Sequence, residues 1–86
     1  MEVIFIFKIK AQDGSNNLCG KRLAKIRKKR GLSQRGLAKK LELEGYEVDH
    51  HFIRRIETGE RFVIDIELDI LVKVLDVTIE ELIKHD

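Results

Sequence analysis

The fold is decided by residues 33–59, SQRGLAKKLELEGYEVDHHFIRRIETG. Two stretches within this segment have apolar residues at helical spacing, and a polar connection separates them. Ser33 and Asp49 belong to the residue types that cap helix N-termini, so each predicts the start of a helix. Gly45 interrupts the first pattern and Gly59 ends the second. The segment therefore predicts two consecutive helices joined by a short connection.

Three further helices are predicted around this pair. A first helix is expected from about Leu18 to Arg30, with Gly31 as its C-terminal stop. Asp65 is predicted to cap a fourth helix, and the Thr-Ile-Glu-Glu sequence from Thr78 matches a capping box that starts a fifth. Short helices cannot bury their apolar faces alone, so we predict an all-α fold, a compact five-helix bundle around one core. The predicted core residues are Leu23, Ile26, Leu37, Ala38, Leu41, Phe52, Ile53, Ile56, Leu68, Leu71, Val72, Leu75, Leu82 and Ile83.

The length and composition suit one globular domain. The chain has 86 residues, of which 43% are hydrophobic and 37% are charged, and this leaves room for a single core. No apolar run approaches the roughly 20 residues that a membrane span needs. Cys19 is the one cysteine, so an internal disulfide is excluded, and we expect a cytoplasmic protein in a reducing compartment.

The N-terminal residues differ in pattern from the rest. Residues 2–10, EVIFIFKIK, alternate and are rich in β-branched and aromatic types, which predicts a short β-strand or extended segment. Residues 12–17, QDGSNN, have the composition of a turn or linker. We therefore divide the chain into an N-terminal strand and linker, 1–17, and a helical domain, 18–86. The strand is expected to pair with its copy in a dimer or to pack on the helical body; the alternative is a leader of little function.

Charge is segregated along the chain although the net charge is only +2. Residues 18–55 contain 12 basic and 4 acidic residues, a net +8, whereas residues 56–86 contain 3 basic and 9 acidic residues, a net −6. Such a domain could present a basic face to phosphate, while chance segregation on a solvated surface is the alternative.

The arrangement of the second and third helices suits DNA binding. A helix-turn-helix places the N-terminal half of its second helix in the major groove, and the preceding helix fixes the register through phosphate contacts. The predicted third helix has long or ring-shaped hydrogen-bond donors at the positions not needed for packing, namely His50, His51, Arg54 and Arg55.

Four stretches in order resemble the phage-repressor type of helix-turn-helix family, also called the xenobiotic-response-element family. They are GKRLAKIRKKRGLSQ at 20–34, LAKKL at 37–41, FIRRIETGER at 52–61 and DIELDILVKVLDVTIEEL at 65–82. The resemblance covers residues 18–83 and implies a λ-repressor-like DNA-binding domain. It leaves out the N-terminal strand and linker.

The resemblance also implies roles for individual residues. Arg55 is the strongest candidate for a bidentate contact to guanine, because its guanidinium matches O6 and N7. Arg27 and Glu57 match a family salt bridge that orients the third helix, and Gln34 matches a glutamine that binds a phosphate and braces that helix. The implied base-contacting residues are Asp49, His50, His51, Phe52, Arg54 and Arg55. The implied phosphate-contacting residues are Ser33, Gln34, Arg35, Thr58, Gly59 and Arg61.

Three departures from the family pattern are visible. The connection at 42–47 is longer than the tight turn of the best-known repressors and is similar to a longer-linker branch. Gly36 stands where many members have a glutamate, which removes a capping-box partner. Glu60 replaces a common lysine or arginine, which weakens the case for phosphate contact by the loop after the third helix.

We therefore expect a sequence-specific DNA-binding transcriptional regulator, a repressor by family habit, that binds a two-fold operator in double-stranded DNA as a homodimer. The alternative is an antitoxin or adaptor that uses the same fold to bind a protein. An enzyme is not expected, because no phosphate-binding glycine loop, nucleophile–base pair or carboxylate pair is present. No cofactor or small-molecule ligand is evident. A metal site is not expected either, because His50 and His51 point about 100° apart and have no Cys or acidic residue at ligand spacing.

Overall fold

The computed structural model describes residues 9–83, and these form five α-helices and no strand. The helices are α1 (Gly20–Lys29), α2 (Gln34–Leu43), α3 (His50–Glu57), α4 (Asp65–Leu75) and α5 (Ile79–Ile83). The predicted all-α, five-helix fold is thereby confirmed. The predicted N-terminal strand falls mostly on residues 1–8, outside the described residues, and Ile9 and Lys10 have no regular structure.

Local capping explains where three of the helices begin. The Ser33 Oγ accepts a hydrogen bond from the Gly36 N–H at 2.9 Å, which caps α2 as predicted. Asp49 Oδ1 caps α3 by accepting from the His51 and Phe52 N–H groups. At α5, Thr78 Oγ1 accepts from the Glu81 N–H and Glu81 Oε1 accepts from the Thr78 N–H, so the predicted capping box is present.

The predicted N-cap of α4 is wrong. Asp65 is the first helical residue, and Ile64 occupies the cap position with an extended backbone. The Ile64 side chain has no oxygen to offer, and Glu67 Oε1 instead accepts from the Ile64 N–H at 3.2 Å. The capping interaction at this helix is therefore supplied by Glu67, a residue of its first turn. The helix ends at Asp76, whose φ of 55° is left-handed.

The core lies where all five helices meet. Among the fourteen predicted core residues, ten side chains are buried, and Ile26, Phe52, Leu68 and Ile83 are partly buried against them. The buried apolar residues are Cys19, Leu23, Leu37, Ala38, Leu41, Ile53, Ile56, Leu71, Val72, Leu75 and Leu82. Two buried isoleucines, Ile53 and Ile56, attach α3 to this core and leave its opposite face exposed.

The start of α1 lies directly against the end of α3. A Cβ placed on Gly20 would lie 2.3 Å from the Ile56 carbonyl oxygen and 3.2 Å from that of Glu57. Only glycine allows the two backbones to approach this closely. The first helix therefore begins two residues later than predicted, at a point of backbone contact that fixes its position relative to α3.

Candidate nucleic-acid interface

The exposed face of α3 carries three of the six predicted base-contacting side chains, those of His51, Arg54 and Arg55. Residues 51, 54, 55 and 58 follow helical spacing and are all exposed, on the side away from the core. The Arg55 side chain makes no hydrogen bond or ion pair within residues 9–83, so its guanidinium donors are available to an external acceptor. Arg54 lies beside it and approaches Glu60 Oε2 at 3.8 Å.

Ring and guanidinium groups surround the N-terminus of α3. The His50 and His51 ring centroids lie 4.1 Å apart with their planes inclined by 35°. Partial removal from water lowers the pKa of His50, and the neighbouring charges of Arg35 and His51 lower it further. The N–H of Phe52 is the main reason why the pKa of the Asp49 carboxyl is lowered.

Phe52 and Arg61 are directed toward the helical body rather than outward. Phe52 is half-buried and packs against the core. The Arg61 guanidinium lies 4.8 Å from the centre of the Phe52 ring, and its Nη2 donates to Glu67 Oε2 at 2.5 Å. These contacts give both residues a structural role and do not favour the predicted base contact of Phe52 or phosphate contact of Arg61.

The loop after α3 contains the remaining predicted phosphate contacts. Thr58 is exposed, and its Oγ1 contacts Glu60 Oε2 at 2.7 Å and donates to the Arg55 carbonyl oxygen. Gly59 has a φ of +83°, which turns the chain out of the helix. At the start of α2, Arg35 is exposed, whereas the Ser33 hydroxyl is engaged in the cap of its own helix.

Arg27 and Glu57 form a buried ion pair that joins α1 to the end of α3. Arg27 Nε and Nη2 donate to Glu57 Oε2 and Oε1 at 2.6 and 2.9 Å, and both side chains are 8% exposed. The hydrogen bonds from Arg27 to Glu57 raise the pKa of the arginine. Gln34 Nε2 donates to Glu57 Oε1 at 3.0 Å, and Arg27 Nη1 donates to the Leu32 carbonyl oxygen at 2.8 Å. The carboxylate thereby connects α1, α2 and α3.

Two asparagines that the sequence analysis placed in a linker bind the end of α3. Asn17 Nδ2 donates to the carbonyl oxygens of Ile56 and Arg61, and Asn16 Nδ2 donates to that of Glu60. Asn17 Oδ1 also accepts from the Gly20 N–H. Asparagine is a common capping residue just before a helix, so the sequence could have predicted the contact between Asn17 and the Gly20 N–H. The contacts to residues 56–61 have no local signal in the sequence.

The described residues offer no site for metal binding. No group of three or more His, Cys, Asp or Glu side chains within residues 9–83 could hold a metal ion. The Cys19 thiol is buried, and its removal from water raises its pKa to about 11, so it is protonated near neutral pH. In the same part of the chain, no helix combines the length and apolar character needed to cross a bilayer.

The fold and this exposed helix define a helix-turn-helix protein. Among solved structures, the chain is similar to the restriction-modification controller protein C.AhdI from Aeromonas hydrophila, with 32% sequence identity and a TM-score of 0.64. The similarity covers 73% of this chain and 84% of C.AhdI. No protein-family model matches the chain, and no curated protein matches it. The similarity to C.AhdI shows that the chain belongs to the helix-turn-helix family of transcription regulators. It does not single out the phage-repressor type.

The buried ion pair predicts a specific pattern of stability. Glu57→Leu alone leaves Arg27 charged and buried without its partner, and we expect a loss of about 3–5 kcal/mol in the free energy of unfolding. Arg27→Met combined with Glu57→Leu removes both charges, so the double variant should be more stable than Glu57→Leu. Urea denaturation monitored by circular dichroism measures all three proteins. A double variant no more stable than the single one would contradict this account of the pair.

The lowered pKa of His50 predicts acid sensitivity of the DNA-free protein. An unfolded histidine titrates near pH 6.5, whereas folded His50 takes up its proton only at lower pH. The contribution of His50 to the free energy of unfolding is therefore fully present above the pKa of the unfolded histidine. It is lost as the pH falls from that value through the lower pKa of His50 in the folded protein. His50→Gln should lose less stability between pH 7 and pH 5 than the wild type. The loss of stability in Arg35→Gln should lie between those of the wild type and His50→Gln. Equal losses in all three proteins would disprove the assignment of the acid sensitivity to His50.

Proposed function

We propose that this chain is a sequence-specific DNA-binding transcriptional regulator that inserts α3 into the major groove. The observation that supports this proposal most directly is the exposed face of α3. There the guanidinium group of Arg55 has no hydrogen-bond acceptor within the described part of the protein. C.AhdI is a restriction-modification controller, and the similarity to it supports a regulatory function. Control of restriction-modification genes is one specific form that this regulation could take, and repression is the direction that we propose.

The structure supports the proposal because the exposed side chains on α3 have the chemistry of base recognition. Arg55 can donate two parallel hydrogen bonds to guanine O6 and N7. His51 is exposed beside it. Asp49 Oδ1 accepts the hydrogen bonds of the helix cap, while its Oδ2 has no hydrogen-bond partner among residues 9–83. Arg35, at the start of α2, is exposed near His50 and suits a phosphate contact. These groups come from two helices whose relative position is fixed by Glu57.

Selection of bound duplexes from a random DNA pool tests the proposal and supplies an operator. We expect one enriched motif, and Arg55→Ala should lose about 1–3 kcal/mol of discrimination at one guanine of that motif. Lys73→Ala is the control, because it also removes one positive charge but from α4, where Lys73 pairs with Asp69 at 2.9 Å. The control should keep the wild-type base preference. If no motif is enriched, sequence-specific binding is disproved and a protein partner becomes the leading candidate.

We further propose that two copies bind one two-fold operator. The helix α3 has only eight residues, so one domain contacts a short stretch of DNA, and half-sites one helical turn apart, about 34–36 Å, would extend the contact. The exposed apolar side chains of Phe62, Ile64 and Ile66 support this proposal: they are 52%, 56% and 65% exposed within five residues of each other. Such a cluster is available to a second copy.

Sedimentation equilibrium of the complex with the selected duplex tests the dimer. The wild type should show two chains per duplex and a palindromic motif. Ile66→Glu places a charge in the apolar cluster and should reduce the complex to one chain per duplex with weaker binding. Leu43→Glu is the matched control, because Leu43 is 73% exposed at the end of α2. A wild-type complex with one chain would contradict the dimer, and dissociation by both variants alike would contradict the assigned surface.

A further inference from the structure

The segment after α3 is held from one side by residues 11–17, which we name the N-terminal loop. Asn16 donates from its backbone N–H to the Gly59 carbonyl oxygen at 2.8 Å and from Nδ2 to that of Glu60 at 2.9 Å. Asn17 Nδ2 donates to the carbonyl oxygens of Ile56 and Arg61 at 3.0 and 2.8 Å. Four carbonyl groups at the end of α3 and beyond it are therefore bound to two neighbouring asparagines.

Close packing and internal hydrogen bonds make the N-terminal loop a fixed support. A Cβ on Gly59 would lie 2.5 Å from the Cβ of Ser15, so the two backbones are in contact. Within the loop, Asp13 Oδ1 accepts from the Ser15 N–H and hydroxyl, and the Ala11 N–H donates to the Ser15 carbonyl oxygen. The loop therefore has contacts of its own in addition to those with the end of α3.

This support leaves one backbone donor available at the turn. The N–H groups of Thr58, Gly59 and Arg61 donate to the carbonyl oxygens of residues 54, 56 and 55. The Glu60 N–H has no hydrogen-bond partner among residues 9–83. The carbonyl groups around it are bound to the N-terminal loop, which fixes the orientation of the peptide units on either side. A backbone N–H held in this way is a donor suited to a phosphate oxygen.

The negative charge of the Glu60 carboxylate does not prevent a phosphate from binding the Glu60 N–H. Its Oε2 contacts the Thr58 hydroxyl at 2.7 Å and lies 3.8 Å from Arg54 Nη1. Both contacts reduce the effect of the negative charge on a nearby phosphate.

We propose that Asn16 and Asn17 are positioning residues that aim the Glu60 N–H at one phosphate of the bound DNA. The inference rests on the proposed function and extends it to the N-terminal loop, which the sequence analysis assigned to a linker. The Asn16 backbone N–H orients the peptide unit that carries the Glu60 N–H, because it donates to the Gly59 carbonyl oxygen of that unit. Asn16 Nδ2 fixes the next peptide unit through the Glu60 carbonyl group, and Asn17 holds the segment at Ile56 and Arg61. Neither side chain touches the DNA in this arrangement.

A phosphate scan of the selected duplex tests the proposal. Single methylphosphonate substitutions identify the phosphates on which wild-type affinity depends. Asn16→Ala keeps the backbone bond to the Gly59 carbonyl oxygen but removes the side-chain bond that fixes the peptide unit after Glu60. We expect about tenfold weaker binding together with loss of sensitivity at one phosphate. Sensitivity at the other phosphates and base preference at the Arg55 position should remain. Thr78→Ala is the control, because it removes a comparable capping contact at α5 and should keep the wild-type phosphate pattern.

A second measurement needs no variant and covers the case in which Asn16→Ala fails to fold. Hydrogen exchange of the Glu60 amide is followed by NMR in the wild-type protein, free and bound to the selected duplex. We expect slower exchange on binding, and unchanged exchange would overturn the proposal. An Asn16→Ala protein that binds with the wild-type phosphate pattern would overturn it as well. If the wild type binds no duplex at all, the proposed function itself fails, which is a different result.

Discussion

The arrangement of α1, α2 and α3 depends on the pairing of the buried Glu57 carboxylate. A buried carboxylate without partners is strongly unfavourable, and this one accepts two hydrogen bonds from Arg27 and one from Gln34. Arg27 in turn donates to the carbonyl oxygen of Leu32, in the connection before α2. A rotation of α3 about its axis would break several of these bonds together. The main effect of the pair is therefore to specify one orientation of the helix, and its effect on stability is secondary. The direction in which His51, Arg54 and Arg55 face follows from that orientation.

Much of the fold could be predicted from the sequence because the deciding interactions are local. Ser33, Asp49 and Thr78 cap helices by contacts within three residues, and the apolar spacing identified the core. The start of α4 was wrongly predicted for a physical reason. Asp65 is a favoured capping residue, but Glu67 accepts from the Ile64 N–H and also binds Arg61. The helix therefore begins one residue after the cap formed at Ile64, and Asp65 contributes its charge to the first turn instead.

The candidate site could be predicted only where helical spacing alone decides exposure. The spacing places His51, Arg54 and Arg55 away from the buried Ile53 and Ile56, as the structure shows. It cannot show that Arg61 binds Glu67 and lies over the Phe52 ring, because these two residues are brought to Arg61 only by the folding of the chain. The contacts of Asn17 cross 39 and 44 residues of sequence. Their partners are backbone carbonyl groups, which are the same in every residue and leave no trace in composition or spacing.

The two adjacent arginines of α3 are not equivalent, and the difference follows from Glu60. Arg54 has an acidic neighbour at 3.8 Å on an exposed surface, whereas Arg55 has no such partner in the described residues. A base contact by Arg54 must replace that ion pair, although exposed pairs contribute little and are readily exchanged. In the proposed complex, Arg55 would contact a base without breaking an internal interaction. Glu60, which departs from the family pattern, therefore distinguishes the two arginines: Arg54 lies beside its negative charge, and Arg55 is the one that our proposal assigns to base recognition.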